Sequence, residues 1–300
     1  MKPHLLFLIA LLCFGCTGDG YTPELKHVDS LIGHEASQAL RVLDSLQAES
    51  DGWGRSRKMR LELLRAKAQN RAFVPFTTDS VMREVARYYN SHGTSNDRLQ
   101  AQYLLGCAYR DLGEAPEALD AYYDAISMAD TTSRDCDVSV LIGIYGQMAD
   151  IFHKQNLPQD EIWALNHYLE YIRRTQDTLR YVSELRQLAG PYYLMGEKDS
   201  VLHLLHDTYE QLCRLGHRKE AVSTHGIAIY ILTERGQLEE AGRLIEEFER
   251  ESGLFDSEGN IAKGREYHYC TRGFYELACG RLDAAESYFR KASGFRSVKI

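Results

Sequence analysis

The sequence predicts an all-α chain, a right-handed superhelix of about seven antiparallel helix pairs. Three observations carry that expectation. Turn signals recur at Gly33, residues 72–75, Gly113, Asn156, Gly196, Gly236 and Gly280, about 40 to 44 residues apart. Only six prolines occur in 300 residues and the polar stretches are short, which favours helices over a sandwich or a disordered chain. Small and aromatic residues also fall at fixed offsets, most clearly in residues 100–125, QAQYLLGCAYRDLGEAPEALDAYYDA. There Gly106, Ala118 and Ala125 let two helices approach closely, while Tyr109 and Tyr122 fill the space beside them.

An apolar content of 44% and a mean hydropathy of −0.39 suit a folded, water-exposed chain. The net charge of −8 gives no whole-chain case for nucleic acid. Residues 1–15 stand apart. Lys2 precedes a ten-residue apolar run at 5–14, too short to span a bilayer and fitting a secretory signal. The run ends in Gly15-Cys16, which resembles the lipobox of bacterial lipoproteins, although Cys13 stands where Leu is usual. The resemblance implies a lipid anchor on Cys16; the alternative is an ordinary signal peptide with a chance cysteine. Residues 16–21 then form a short linker. Seven cysteines suggest disulfides only until they are placed. Without Cys13 and Cys16 an odd set remains (Cys107, Cys136, Cys213, Cys270, Cys279), and free, buried thiols are expected.

In chain order, Ala36, Ala39, Leu40, Leu43 and Leu46 form an apolar stripe at helical period, the second helix of the first pair. The next pair is predicted at 55–70 and 78–90, since Pro75 forbids one continuous helix and Thr78 and Asp79 are good helix starters. After the clear repeat at 100–125, residues 145–171 keep Ala149, Phe152 and Asn156, but Glu161 replaces the small residue after the turn. The following repeat carries Leu188, Ala189, Tyr192 and Gly196, with Pro191 expected to kink its first helix. Gly236, Ala241 and Phe248 mark the next. Gly273, Gly280, Ala285, Phe289 and Ala292 mark the last, where Glu276 replaces the usual aromatic. Extra residues fall between repeats, at 127–138 and 253–263.

The offsets in residues 100–125 resemble the tetratricopeptide repeat, with Gln102 in place of its leading Trp. The likeness covers about residues 98–292 by motif and 22–92 by spacing, so the expected divisions are divergent pairs at 22–92 and repeats proper at 93–300. With the signal and lipobox, the chain is similar to tetratricopeptide-repeat lipoproteins and sensor-like proteins of the Bacteroidetes. That resemblance implies a non-enzymatic, lipid-anchored envelope scaffold binding a protein or peptide. The alternative it leaves open is the envelope-side sensory part of a signalling protein. The sequence stops eight residues past Ala292 without a polar capping helix, so truncation or capping by a partner is expected. Thr17 and Asp19 do not resemble the acidic run that marks surface export in such lipoproteins, which favours the periplasmic face.

No chemistry stands out. His203 and His206 share a helix face, but no third ligand has a convincing offset, and there is no phosphate loop or nucleophile elbow. No enzyme activity, cofactor or metal is therefore expected. The segment 55–71 is locally basic, with Arg55, Arg57, Lys58 and Arg60 leading it against a single Glu62. It reads either as a solvated outer face or as a patch for anionic headgroups near the lipid anchor. In the repeat family the first helix of each pair lines the inner groove, at the second, fifth, ninth, twelfth and thirteenth positions. The resemblance thereby assigns Tyr103, Arg110 and Asp111; Asp150, His153 and Lys154; Arg186 and Tyr193; Tyr230 and Glu234; and Tyr267 and Phe274 to a groove. Aromatics mixed with both signs of charge suit an extended peptide. The other reading of these aromatics is packing between neighbouring repeats.

Overall fold

The computed structural model describes residues 20–296; the signal-like segment and Cys16 lie outside the described residues. The chain divides into two compact units at Val140–Leu141. The expected division at 92–93 separates divergent pairs from clearer repeats and falls inside the first unit. The connection there is two residues long, and Thr94 caps the helix that follows.

The first unit holds three helix pairs: α1 (Pro23–Ile32) with α2 (Ala36–Ala48), α3 (Arg55–Arg71) with α4 (Ser80–His92), and α5 (Ser95–Leu112) with α6 (Ala115–Met128). Thr22 caps α1 by accepting the Leu25 N–H, with Pro23 in the first turn where its missing donor costs nothing. Leu25, Val28 and Ile32 of α1 meet Ala39 and Leu43 of α2 and Leu61, Leu64 and Ala68 of α3 in one core. The start of α4 falls as expected, but Thr78 rather than Asp79 supplies the side-chain acceptor, 3.2 Å from the Ser80 N–H. In α5 and α6 the close approach is literal. A Cβ on Gly106 would sit 2.3 Å from the Tyr122 ring, and Tyr122 itself is fully buried.

The basic helix α3 packs into the first unit along much of its length. It faces inward, burying Met59, Leu61, Leu63, Leu64, Ala66 and Ala68. Arg60 is buried too, 2.6 Å from Asp97, its guanidinium packed on the Tyr21 and Tyr89 rings. Arg57 reaches Glu24 at 3.0 Å and stacks on Trp53; Arg55 lies over Tyr88; Lys58 donates to the Asp51 carbonyl. Arg65 and Lys67 pair with Asp44 and Asp29. Four of the seven positive charges of α3 thus match acidic residues of its neighbours, a complementarity that composition along one helix cannot display.

The second unit opens with α7 (Val138–Lys154) and α8 (Pro158–Arg174). The first helix of the next pair is interrupted: α9 (Thr178–Leu185), a 3-10 turn over Arg186–Leu188, then α10 (Ala189–Leu194), packed on α11 (Lys198–Arg214). This is the expected Pro191 effect, since proline withholds an N–H from Gln187 and its ring crowds that carbonyl. A second interruption, between α12 (Arg218–Val222) and α13 (His225–Glu234), has no proline. There the Ser223 and Thr224 hydroxyls donate to the Lys219 and Ala221 carbonyls, competing with the helical ladder. α14 (Leu238–Glu251), a loop with a single bridge between Phe255 and Ile261, α15 (His268–Ala278) and α16 (Leu282–Arg296) complete the unit. The expected interpair insertions are observed at 129–137 and 252–267. Gly113, Asn156, Gly196, Gly236 and Gly280 all adopt the left-handed conformation that ends each first helix. Gly33 does not; its φ is −64°. None of the five cysteines in the described region is disulfide-bonded, and Cys107 is fully buried.

Two departures from the repeat pattern are compensated by polar partners. Glu161 is buried at the small-residue position, and His153 Nδ1 lies 3.1 Å from its carboxylate. Glu276, also buried, is held by Arg272 at 2.8 Å and by Arg281. Burial alone would raise the Glu276 carboxyl, but the two guanidiniums outweigh it and hold it below the usual range.

Two outcomes test this packing. Gly106→Ala forces a methyl against a ring with nowhere to go and costs about 1–3 kcal/mol in denaturant unfolding. Asp97→Asn leaves Arg60 buried without its counter-charge and costs about 3–5 kcal/mol. For Asp97 burial favours the neutral acid, yet the Arg60 bond and the Thr94 N–H keep its carboxyl below the ordinary value. A depressed carboxyl stabilises the fold above its unfolded pKa and loses that contribution as pH falls through the folded one. The wild-type stability curve therefore drops below about pH 4, and Asp97→Asn flattens that limb.

Candidate functional site

The second unit contains a trough of about 760 Å³, within the range of pockets that hold small ligands or a few peptide residues. Its floor is apolar, made by Leu212, Phe248 and Leu254. Its walls come from the first helices of two successive pairs, with Ser183, Arg186, Gly190 and Tyr193, then Glu220, Ser223, Gly226, Ile227 and Tyr230, and from the loop before α15 and its first turn, with Arg265, Tyr267, His268 and Thr271. The interruptions in both broken helices lie on this wall, because Arg186 belongs to the 3-10 turn and Ser223 to the turn after α12.

Four of the twelve groove residues expected from the sequence meet here: Arg186, Tyr193, Tyr230 and Tyr267. Glu234 and Phe274 lie beside it. Glu234 accepts from Lys198 at 2.9 Å and from the Tyr193 hydroxyl at 3.3 Å. Tyr193, Tyr230, Phe274 and Phe289 form an edge-to-face series with centroids 6.0, 5.8 and 5.3 Å apart. Packing between pairs and solvent exposure therefore coexist: the rings brace one another, yet Phe274 stays 42% and Tyr267 67% exposed. Burial, and then the Glu234 carboxylate, push the Tyr193 phenol up to about 12, so it remains a hydrogen-bond donor at neutral pH.

The other six are placed elsewhere. In the first unit Tyr103 packs against Tyr122 and Asn70, Arg110 binds Asp111 and Asn70, and Asp111 accepts the Phe76 N–H at 3.0 Å. Those three residues fasten the turn between α3 and α4. On α7, Asp150 and Lys154 pair with each other at 2.6 Å and His153 serves Glu161; none lines the trough. His203 and His206 are exposed on α11, and among the described residues no cluster of three or more His, Cys, Asp or Glu could hold a metal.

Sequence reasoning missed the residues that make the room. Ser183, Gly190, Ser223 and Gly226 occupy the same inner-surface register as Arg186 and Tyr230, yet a search for large anchors passes over small side chains. A Cβ on Gly190 or Gly226 would meet nothing within 4 Å, so both glycines face open space. Arg265 was hidden because it lies in the loop outside any repeat. Its guanidinium stacks on Phe248 and donates to Ser252, and burial unrelieved by a carboxylate lowers its pKa.

No protein-family model matches the chain, and no curated protein matches its sequence. Solved structures do match. A tetratricopeptide repeat protein from Parabacteroides merdae aligns over 92% of this chain and 93% of its own, at 14% identity and a TM-score of 0.50. BtubC (BKLC) from P. vanneervenii aligns over 80% and 91%, at 13% identity and 0.54. The nearly identical TPR-like repeats of a Podosopora anserina kinesin light chain align over 64% and 93%, at 16% identity and 0.51. At such identities the likeness concerns the fold, which is that of an all-α tetratricopeptide-like repeat protein.

The two glycines give a direct check on the trough. Gly190→Ala and Gly226→Ala each leave the fold intact and raise stability by up to about 1 kcal/mol, the gain of replacing glycine in a helix where space is open. Thermal unfolding of the two variants measures it, in contrast to the loss expected at Gly106.

Proposed function

We propose that the chain is a non-enzymatic scaffold of the bacterial cell envelope, anchored by lipid at Cys16, that holds a segment of a protein or peptide partner in the trough of its second unit. The observation that carries the binding role is the trough itself. Two consecutive first helices and the residue that caps the third turn partly exposed aromatics toward an open, apolar-floored space, and two glycines keep that space clear. Aromatic rings held rigidly by one another are the side chains that give contact area at low entropic cost. The envelope and anchor reading rests on residues 1–16, with their short apolar run and terminal Gly15-Cys16, and the periplasmic face on the lack of an acidic run after Cys16.

A photo-crosslinking residue at Tyr267, exposed at the trough rim, is expected to capture a discrete partner in cells. Gly226→Trp projects into the trough from a position where an added Cβ meets open space, and is expected to abolish that capture at unchanged helicity. Undiminished capture would place binding elsewhere. For the anchor, palmitate incorporation is expected in the native chain and absent in Cys16→Ala; equal labelling of the two would rule out lipidation at that residue.

A further inference from the structure

In this acidic protein most arginines of the second unit are matched to carboxylates. Arg218 binds Glu247 and Glu251, Arg272 binds Glu249 and Glu276, and Arg235 binds Asp199. Arg186 and Arg265, like Arg180 and Arg243, are not among these pairs, and they are the two that reach the trough. Both line the trough, and neither has a carboxylate within ion-pair distance among the described residues. Arg186 bonds only the Ser183 carbonyl, and Arg265 only Ser252. A guanidinium presents five donors, and most of those on each side chain are left for something else.

We infer that the trough selects a partner segment carrying an acidic side chain next to a bulky apolar one, the carboxylate received by Arg186 and Arg265 and the apolar group by Ile227, Tyr230 and the floor. This rests on the trough being the binding site. The charge balance favours a carboxylate. Besides the two arginines, the charged lining residue is Glu220, which lies 3.8 Å from His217, and His268 turns its ring nitrogen to Glu249 at 2.9 Å. The lining thus carries a net single positive charge, which one carboxylate neutralises and a phosphate dianion would exceed. Guanidinium pairs suit carboxylates because two parallel N–H donors match its two oxygens. Desolvated beside Phe248 and Leu254, such a bond is stronger than at an open surface.

The probe is a random dodecapeptide display library panned on the purified full chain, with enriched sequences resynthesised and titrated by calorimetry. The expected enrichment is an Asp or Glu beside a large apolar residue. Arg186→Gln and Arg265→Gln each weaken such a peptide about tenfold or more. Changing the peptide's acid to its amide gives a similar loss that does not add to that of the arginine change. Arg186 is exposed, so its variant keeps the fold even if Arg265→Gln does not. Peptides that Gly226→Trp displaces but that lack an acid, or are indifferent to Arg186→Gln, overturn the acidic preference and leave the trough as the site. If no enriched peptide is displaced by Gly226→Trp, the trough reading fails and this inference falls with it.

Discussion

Two helices can lie against each other only as closely as the side chains between them allow, and in this chain glycine sets that distance where the repeat is clearest. Gly106 meets the Tyr122 ring, and in the last pair a Cβ on Gly273 would fall 2.6 Å from Phe289. The two contacts join the same positions of the repeat, in different units. Each lets an aromatic ring of the second helix press directly on the backbone of the first, which fixes their separation and rotation. Alanines at the next small positions, Ala118, Ala125 and Ala285, continue the seam with almost no exposure. Once the angle within a pair is fixed, its outer surfaces are fixed too, and the next pair must fit them.

Where the seam departs from this pattern, charge replaces close packing. Glu161 and Glu276 are buried carboxylates that would be costly alone, and each is satisfied by a basic side chain of its own pair. Asp97 does the same in the first unit while also capping α5, so one side chain ends a helix and neutralises Arg60. Such substitutions preserve the spacing of the fold while erasing its motif. They explain how a chain can share its architecture with tetratricopeptide repeat proteins at 13–16% identity.

The trough arises from the same geometry by subtraction. Small residues on the seam bring helices together; small residues on the inner wall, Gly190 and Gly226, leave space that nothing in the chain fills. The helix breaks at Arg186–Leu188 and at Ser223–Thr224 re-aim the residues around that space. The loop before α15 then adds Arg265 from outside the repeat pattern.

Spacing, turn residues and the helix pairs were legible in the sequence because they depend on local chemistry: glycine's freedom at φ near 80°, proline's missing donor, the period of an apolar stripe. Tyr193, Tyr230 and Tyr267 were named by the resemblance to the tetratricopeptide repeat, whose inner-surface positions carry over by register. What the sequence could not decide was which charges would be spent inside the fold. Arg60 and Arg186 are alike on paper, yet one faces Asp97, thirty-seven residues away, and the other lines the trough. That difference belongs to tertiary structure, because a charge is neutralised by whatever lies nearest in space, and the chain's order says little about that distance.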